Sequence, residues 1–363
     1  MFHSERNVMT IHHRPGLELV PAYRQGKAAA PGASKLSSNE SPHPPLPSVV
    51  KAVGHELEMI HRYPNMGARD VIAALAQKNG VQPQNITLGS GSVEVAAQLI
   101  HAVAGPGDEV MFAWRSFEAY PSLVRVSGAV PVQVPLDENY GHDLPAMLDA
   151  ITDRTRLIFI CNPNNPTGTV LEAEALEKFV AAVPRNVLVV IDEAYVHFDR
   201  SEVRADGLAL FAKYPHVAVL HTFSKAYGLA GLRIGYAISP EPVAENLRKV
   251  AVPFGVTNLA QAAAVASLAA EDELALRINE VVEQRERLYQ GLIAAGYPAV
   301  PSQANFVWVP AGEGTSELEA TLDAGGVVVR AFPGEGLRIS SGTAEDVDRV
   351  LAALAPKLSG VNA

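Results

Sequence analysis

Seven short apolar runs constrain this chain more than any other feature: Ile86–Leu88, Glu109–Ala113, Ala129–Val134, Leu157–Cys161, Val187–Ile191, Val217–Leu220 and Ile234–Ile238. Most are four to six residues long, rich in β-branched residues and without polar alternation. Such runs suit strands buried on both faces. Longer amphipathic stretches, Val93–Val103 and Leu171–Val183 among them, separate the runs and read as helices. The fold class expected is α/β: a large domain with a mostly parallel sheet covered by helices.

The C-terminal part has a different grammar. Leu274–Ala295 reads as one long helix ending at Gly296. Strand-like runs follow at Asn305–Val309, Val327–Arg330 and Leu337–Ser340, separated by helical stretches, which suggests a smaller α+β domain. Ser41–Pro47 holds four prolines and reads as a linker or surface arm. The expected division is an N-terminal tail and arm over 1–47, a large domain over 48–255 and a small domain over 256–363, with residues 1–15 an unstructured tail.

The bulk numbers narrow the class of function. A length of 363 residues supports a large core and more than one domain. The formal net charge of −10, with no Lys/Arg-rich block, argues against non-specific nucleic-acid binding. A single cysteine, Cys161, cannot form an internal disulfide. No segment is long and apolar enough to span a bilayer, and the start Met1–Asn7 lacks a signal-peptide core, so the cytoplasm is the expected location. No metal site is expected.

Polar residues gather where predicted strands end, and in an open α/β sheet ligands collect at the carboxyl ends of strands. Lys225 follows Val217–Leu220 with Thr222 and Ser224 before it and Arg233 after it. That arrangement suits a lysine forming a Schiff base with an aldehyde cofactor, pyridoxal 5′-phosphate, then moving a proton on the substrate; a lowered pKa would make it effective. Asp192, after Val187–Ile191, is placed to face a pyridine nitrogen and keep it protonated. Tyr195 and Asn165 are placed to donate to a phenolic oxygen. Asn165 also lies in Asn164–Gly168, which is strong turn chemistry. Gly89–Glu94 opens a helix after a strand, so Ser92 and Val93 sit where a helix N-terminus can hold a phosphate, with Thr222, Ser224 and Arg233 completing the cup. Phe117 is a candidate to stack on the cofactor ring, or else a core residue. Arg338 alternates with apolar residues on a strand and is a candidate clamp for a substrate carboxylate. Cys161 reads as a buried core thiol.

These motifs resemble the fold-type I pyridoxal-phosphate aminotransferases, and within them the histidinol-phosphate aminotransferase group. The likeness runs from Leu36–Glu40 to Arg338. It implies the cofactor roles of Asn165, Asp192, Tyr195, Lys225 and Arg233. It also implies that Arg330 and Arg338 are the group's two C-terminal arginines and that Asn39 lies on the substrate side. His61–Pro64 resembles the segment whose tyrosine reaches the neighbouring subunit's cofactor phosphate, so Tyr63 implies a homodimer with shared active sites. Tyr23 is a further candidate to close over substrate.

Trp114–Pro121, Thr222–Arg233 and Pro301–Trp308 are similar to the actinobacterial aromatic amino acid (phenylalanine) aminotransferase branch. Two positions depart from the histidinol-phosphate pattern: Asn39–Pro45, and Val93 where an aspartate is usual. The resemblance implies transamination of Phe, Tyr and Trp with 2-oxoglutarate, by Schiff-base exchange and a lysine-mediated 1,3-proton shift. The alternative is aminotransfer from histidinol phosphate, which lacks a carboxylate and needs a second anion site. A pyridoxal-phosphate protein without turnover is a third possibility, against which the intact residue set speaks.

Overall fold

A computed structural model describes residues 16–22 and 26–355. The apolar runs become a seven-stranded sheet. Its strands are β2 (Ile86–Gly89), β3 (Glu109–Trp114), β4 (Val130–Pro135), β5 (Thr155–Cys161), β6 (Leu188–Asp192), β7 (Val217–Thr222) and β8 (Gly235–Ile238). The order across the sheet is β2-β8-β7-β6-β5-β3-β4. Pairings from β4 through β7 are parallel, and only β8 runs against its neighbours β7 and β2.

The central strands β6 and β7 are buried along their whole length, as expected for a sheet covered on both faces. One expectation changes at β4. It is an edge strand, largely open to solvent except Val134, and it carries Pro131 and Pro135. Proline removes a ladder donor and is tolerated at an edge.

A second sheet contains β1 (Ser34–Leu36), β9 (Phe306–Pro310), β10 (Val327–Phe332) and β11 (Gly336–Ser340), in the order β1-β10-β11-β9. The arm residues of β1 thus join the C-terminal strands, pairing in parallel with β10. The long C-terminal helix spans Glu271–Ala294 and sends Leu288 and Leu292 into the core beneath this sheet. Gly296, just past its end, has φ +83°, a left-handed turn that glycine adopts without Cβ strain.

The proline-rich segment also differs from expectation at its last residue. Pro47 opens the helix Pro47–Glu56, where a missing N–H costs nothing because that donor lies outside the helical ladder. Leu46 before it is buried in the main core. Among the described residues no helix is long and apolar enough to cross a membrane. Residues 1–15 and Tyr23, assigned above to a tail and to site closure, lie outside the described residues.

Candidate active site

The carboxyl ends of β5, β6 and β7, the loop after β3 and the N-terminus of the helix Ser92–Val103 meet at one cavity of about 480 Å³. Ser92, Val93, Phe117, Asn165, Asp192, Tyr195, Thr222, Ser224, Lys225, Arg233, Arg330, Arg338 and Asn39 all line it. A wider cleft of about 1020 Å³ runs between residues 137–148 and 298–303 but contains none of these groups. The smaller cavity is therefore the chemical one.

Lys225 is half-buried, and its Nζ donates to the Ser38 carbonyl at 3.1 Å. Burial, then the nearby Arg338 guanidinium, pushes its pKa down to about 7. Glu40 opposes that shift, and Arg233 adds to it. Near neutral pH much of the amine is unprotonated, as a nucleophile and proton carrier requires.

Asp192 is buried at the tip of β6. Tyr120 Oη donates to its Oδ2 at 2.5 Å, and the Ala194 N–H donates to Oδ1 at 3.3 Å. Burial lifts the carboxyl to about 6 despite these two donors. A cation set against it would favour the ionised form, so the carboxylate suits a protonated ring nitrogen. Tyr120 stacks on Phe159 at 4.5 Å and meets Phe117 edge to face at 5.4 Å, which fixes its ring and carries Phe117 to the cavity wall.

Immediately behind these strand tips lies a second buried pair, Glu193 and His221, 3.3 Å apart. Burial pushes the Glu193 carboxyl up and the His221 imidazole down. Burial thus biases both toward their neutral forms. Glu193 Oε1 also accepts from the Gly207 N–H at 3.0 Å.

At the opposite end the polar groups form a cup. Gly91 precedes the helix Ser92–Val103 at φ +83°, and a Cβ there would run into the Arg233 guanidinium. Gly235 has the same constraint, since its Cβ would meet the backbone of Gly91 and Ser92. These two glycines allow the helix start and Arg233 to close together. Arg233 Nη1 donates to Ser224 Oγ at 3.2 Å, and the Ser224 N–H donates to Thr222 Oγ1 at 3.1 Å. Arg233 itself has φ +56°, a conformation that costs a non-glycine residue roughly 1–2 kcal/mol. Helix N–H groups, two hydroxyls and a guanidinium fit a phosphate.

The small sheet supplies the remaining wall. Arg338 on β11 is buried, donating to Asn165 Oδ1 at 2.6 Å and to the Ser37 carbonyl at 2.8 Å. Arg330 on β10 forms a two-point pair with Glu118: Nη2 to Oε1 at 2.5 Å and Nε to Oε2 at 3.2 Å. Beside it, Arg115 pairs with Glu335, with Nε to Oε2 at 2.8 Å. Asn39 is held by Ser340 and directs its Nδ2 to Tyr195 Oη at 3.0 Å. Burial pushes the Tyr195 phenol well above its usual pKa. Tyr195 thus sits against both the Asn39 amide and, edge to face at 5.1 Å, Phe306.

Among the described residues, Tyr63 is the expected site residue that this cavity does not gather. It is 80% exposed and stacks on Phe254 at 4.5 Å. Two residues given no role from sequence enter the site: Tyr120, through Asp192, and Glu118, through Arg330. Glu118 lies in the same strand-end loop as Phe117, and Tyr120 opens the helix Tyr120–Ser127 that follows it.

Comparison with known proteins agrees with this geometry. Residues 32–354 match the family model for aminotransferase class I and II. The chain is 52% identical to the aromatic amino acid aminotransferase of Cutibacterium acnes, over 97% of this chain and 100% of that one. It is 54% identical to the enzyme of the same name from Streptomyces avermitilis, over 92% of this chain and 94% of that one. Among solved structures, histidinol-phosphate aminotransferase from Sinorhizobium meliloti in complex with pyridoxal 5′-phosphate superposes with a TM-score of 0.84 at 30% identity, covering 91% of this chain and 92% of that one. Aspartate aminotransferase from Thermus thermophilus with maleate gives 0.80 at 26% identity, covering 90% and 91%.

Proposed function

The chain belongs to the class I and II aminotransferases, and on that premise we propose that it transfers the amino group of aromatic amino acids, Phe, Tyr and Trp, to 2-oxoglutarate. The observation that carries this reading is one cavity lined by an amine at Lys225, a buried carboxyl at Asp192, a phosphate cup, a carboxylate clamp at Arg338 and the Phe117 ring. The names of the relatives at about half identity support the aromatic substrate class.

When bound, pyridoxal phosphate supplies an aldehyde that takes up amines and a cationic ring that stabilises negative charge at the substrate Cα. The chain's residues do the rest. Lys225, with its pKa near 7, would remove the substrate Cα proton and deliver it to the carbon that was the cofactor's aldehyde, a 1,3-proton shift. Asp192 holds the ring nitrogen protonated, and Tyr120 orients Asp192 by its hydrogen bond. Tyr195 and Asn165 address the ring oxygen. Ser92, Thr222, Ser224 and Arg233 would hold its phosphate. Arg338 would grip the α-carboxylate with its planar fork, and Phe117, on the cavity wall, is placed to stack on the cofactor ring.

The reading includes a homodimer. Ile60, Tyr63, Met66, Val252 and Phe254 leave an apolar face exposed around Tyr63, more than scattered surface residues require. A second copy seated there would bring Tyr63 to its neighbour's phosphate cup. A cytoplasmic location accords with a single, buried cysteine.

A panel of amino donors with 2-oxoglutarate, including phenylalanine, tyrosine, tryptophan and histidinol phosphate, tests the assignment. Phenylalanine or tyrosine should give the highest kcat/KM. A clear preference for histidinol phosphate would replace the reading with the alternative.

A further inference from the structure

Arg330 and Arg338 are directly opposed across the antiparallel pair β10–β11. Directly opposed residues share a face, and like charges placed so repel unless each finds an anion. The two arginines solve this differently. Arg338 donates to the oxygens of Asn165 and Ser37, and under the reading above it takes the substrate carboxylate. Arg330 already holds one: Glu118 grips it at two points. Both members of that pair line the cavity, with Phe117 adjoining Glu118 in the chain.

We propose that Glu118 is a specificity-determining residue, a resident carboxylate that competes with anionic substrate side chains for Arg330. The inference rests on the aminotransferase reading above and deepens it. With the α-carboxylate on Arg338, Arg330 is the next cation on the same face and lines the same cavity. An uncharged ring leaves the Arg330–Glu118 pair intact. A second carboxylate, as in 2-oxoglutarate or glutamate, gains Arg330 only by displacing Glu118 and facing its charge. The pocket therefore accepts dicarboxylates at a handicap and uncharged side chains without one.

The test compares two oxo acids on the holoenzyme, with tyrosine as fixed donor: 2-oxoglutarate and phenylpyruvate. In Glu118→Gln the ratio of their kcat/KM values should move toward 2-oxoglutarate by about tenfold or more, the effect of one charge-assisted contact. In Glu118→Gln combined with Arg330→Gln the ratio should fall back. An unchanged ratio in the single variant overturns the proposal, and so does a gain that survives loss of Arg330. If Glu118→Gln does not fold, Glu118→Asp, one methylene short of Arg330, should move the ratio the same way by less; no movement overturns it.

Failure of the aromatic reading shows separately, in the donor panel on the unaltered enzyme. In that case the affinities of maleate and 3-phenylpropanoate, followed by the visible absorption of the holoenzyme, carry the same comparison. Their ratio must shift toward maleate in Glu118→Gln or the proposal is wrong.

Discussion

The two ends of the cavity are built on different principles. At the cofactor end the groups come from strand tips and a helix start of one large sheet, and several of the contacts run among near neighbours in the chain, with Tyr120 reaching Asp192 from 72 residues away. Ser224 bonds Thr222, Arg233 bonds Ser224, and Asp192 receives Ala194. At the substrate end the contacts run between sheets and across long stretches of sequence. Asn39 reaches Tyr195, 156 residues away, and Arg330 reaches Glu118, 212 residues away. The first end is a fixed scaffold that serves any amino acid. The second is an assembly of long-range pairs, and pairs are what a change of substrate can re-partner.

That contrast predicts an order of effects. Lys225→Ala should have the largest, lowering turnover by about 10⁴-fold or more, because it removes both the cofactor's covalent anchor and the proton carrier. Steady-state assays with phenylalanine measure it, and a variant within tenfold of the parent would break the assignment. Asp192→Asn should still bind cofactor, seen by visible absorption, yet turn over about 10³-fold more slowly for want of a charge at the ring nitrogen. Turnover close to the parent's would remove Asp192 from the chemistry.

On the substrate side, Arg338→Gln should lower kcat/KM for phenylalanine by about 10²-fold, mostly through KM, with the absorption of the holoenzyme unchanged. A loss of cofactor instead would show that the two ends are not separable. Tyr120→Phe should have the smallest effect, about tenfold near pH 7, and a pH signature. Asp192 must be ionised to act, burial holds it at about 6, and Tyr120 is a donor that lowers it. Without that donor the carboxyl titrates higher, so the acid limb of the kcat/KM profile moves to higher pH. An unmoved limb would mean that Tyr120 serves only packing.

How much of this was legible in the sequence follows the same division. β5, β6 and β7 were plain because an unalternated β-branched run has few other ways to be buried, and the residues just past them marked the catalytic end. β4 was recognised as a strand, but its edge position was not, although Pro131 and Pro135 were the clue. The three-residue β1 was too short to carry a pattern. Lys225, Asp192 and the phosphate cup could be named because each lies inside a compact motif. Tyr120 and Glu118 could not be given roles, since their partners lie 72 and 212 residues away and only the folded sheets bring them together. Tyr63 was named for a neighbouring subunit, and within one chain it lies on an outer face.

The two arginine–glutamate pairs between the loop after β3 and the β10–β11 hairpin run in opposite senses. The loop gives Arg115 to Glu335, and the hairpin gives Arg330 to Glu118. Each side therefore presents one positive and one negative charge, in complementary order. A hairpin docked in the swapped alignment would set Arg330 against Arg115 and Glu335 against Glu118. The contact thus acts as a keyed joint: it admits the small sheet in one orientation, and that orientation is the one that brings Arg338 to Asn165.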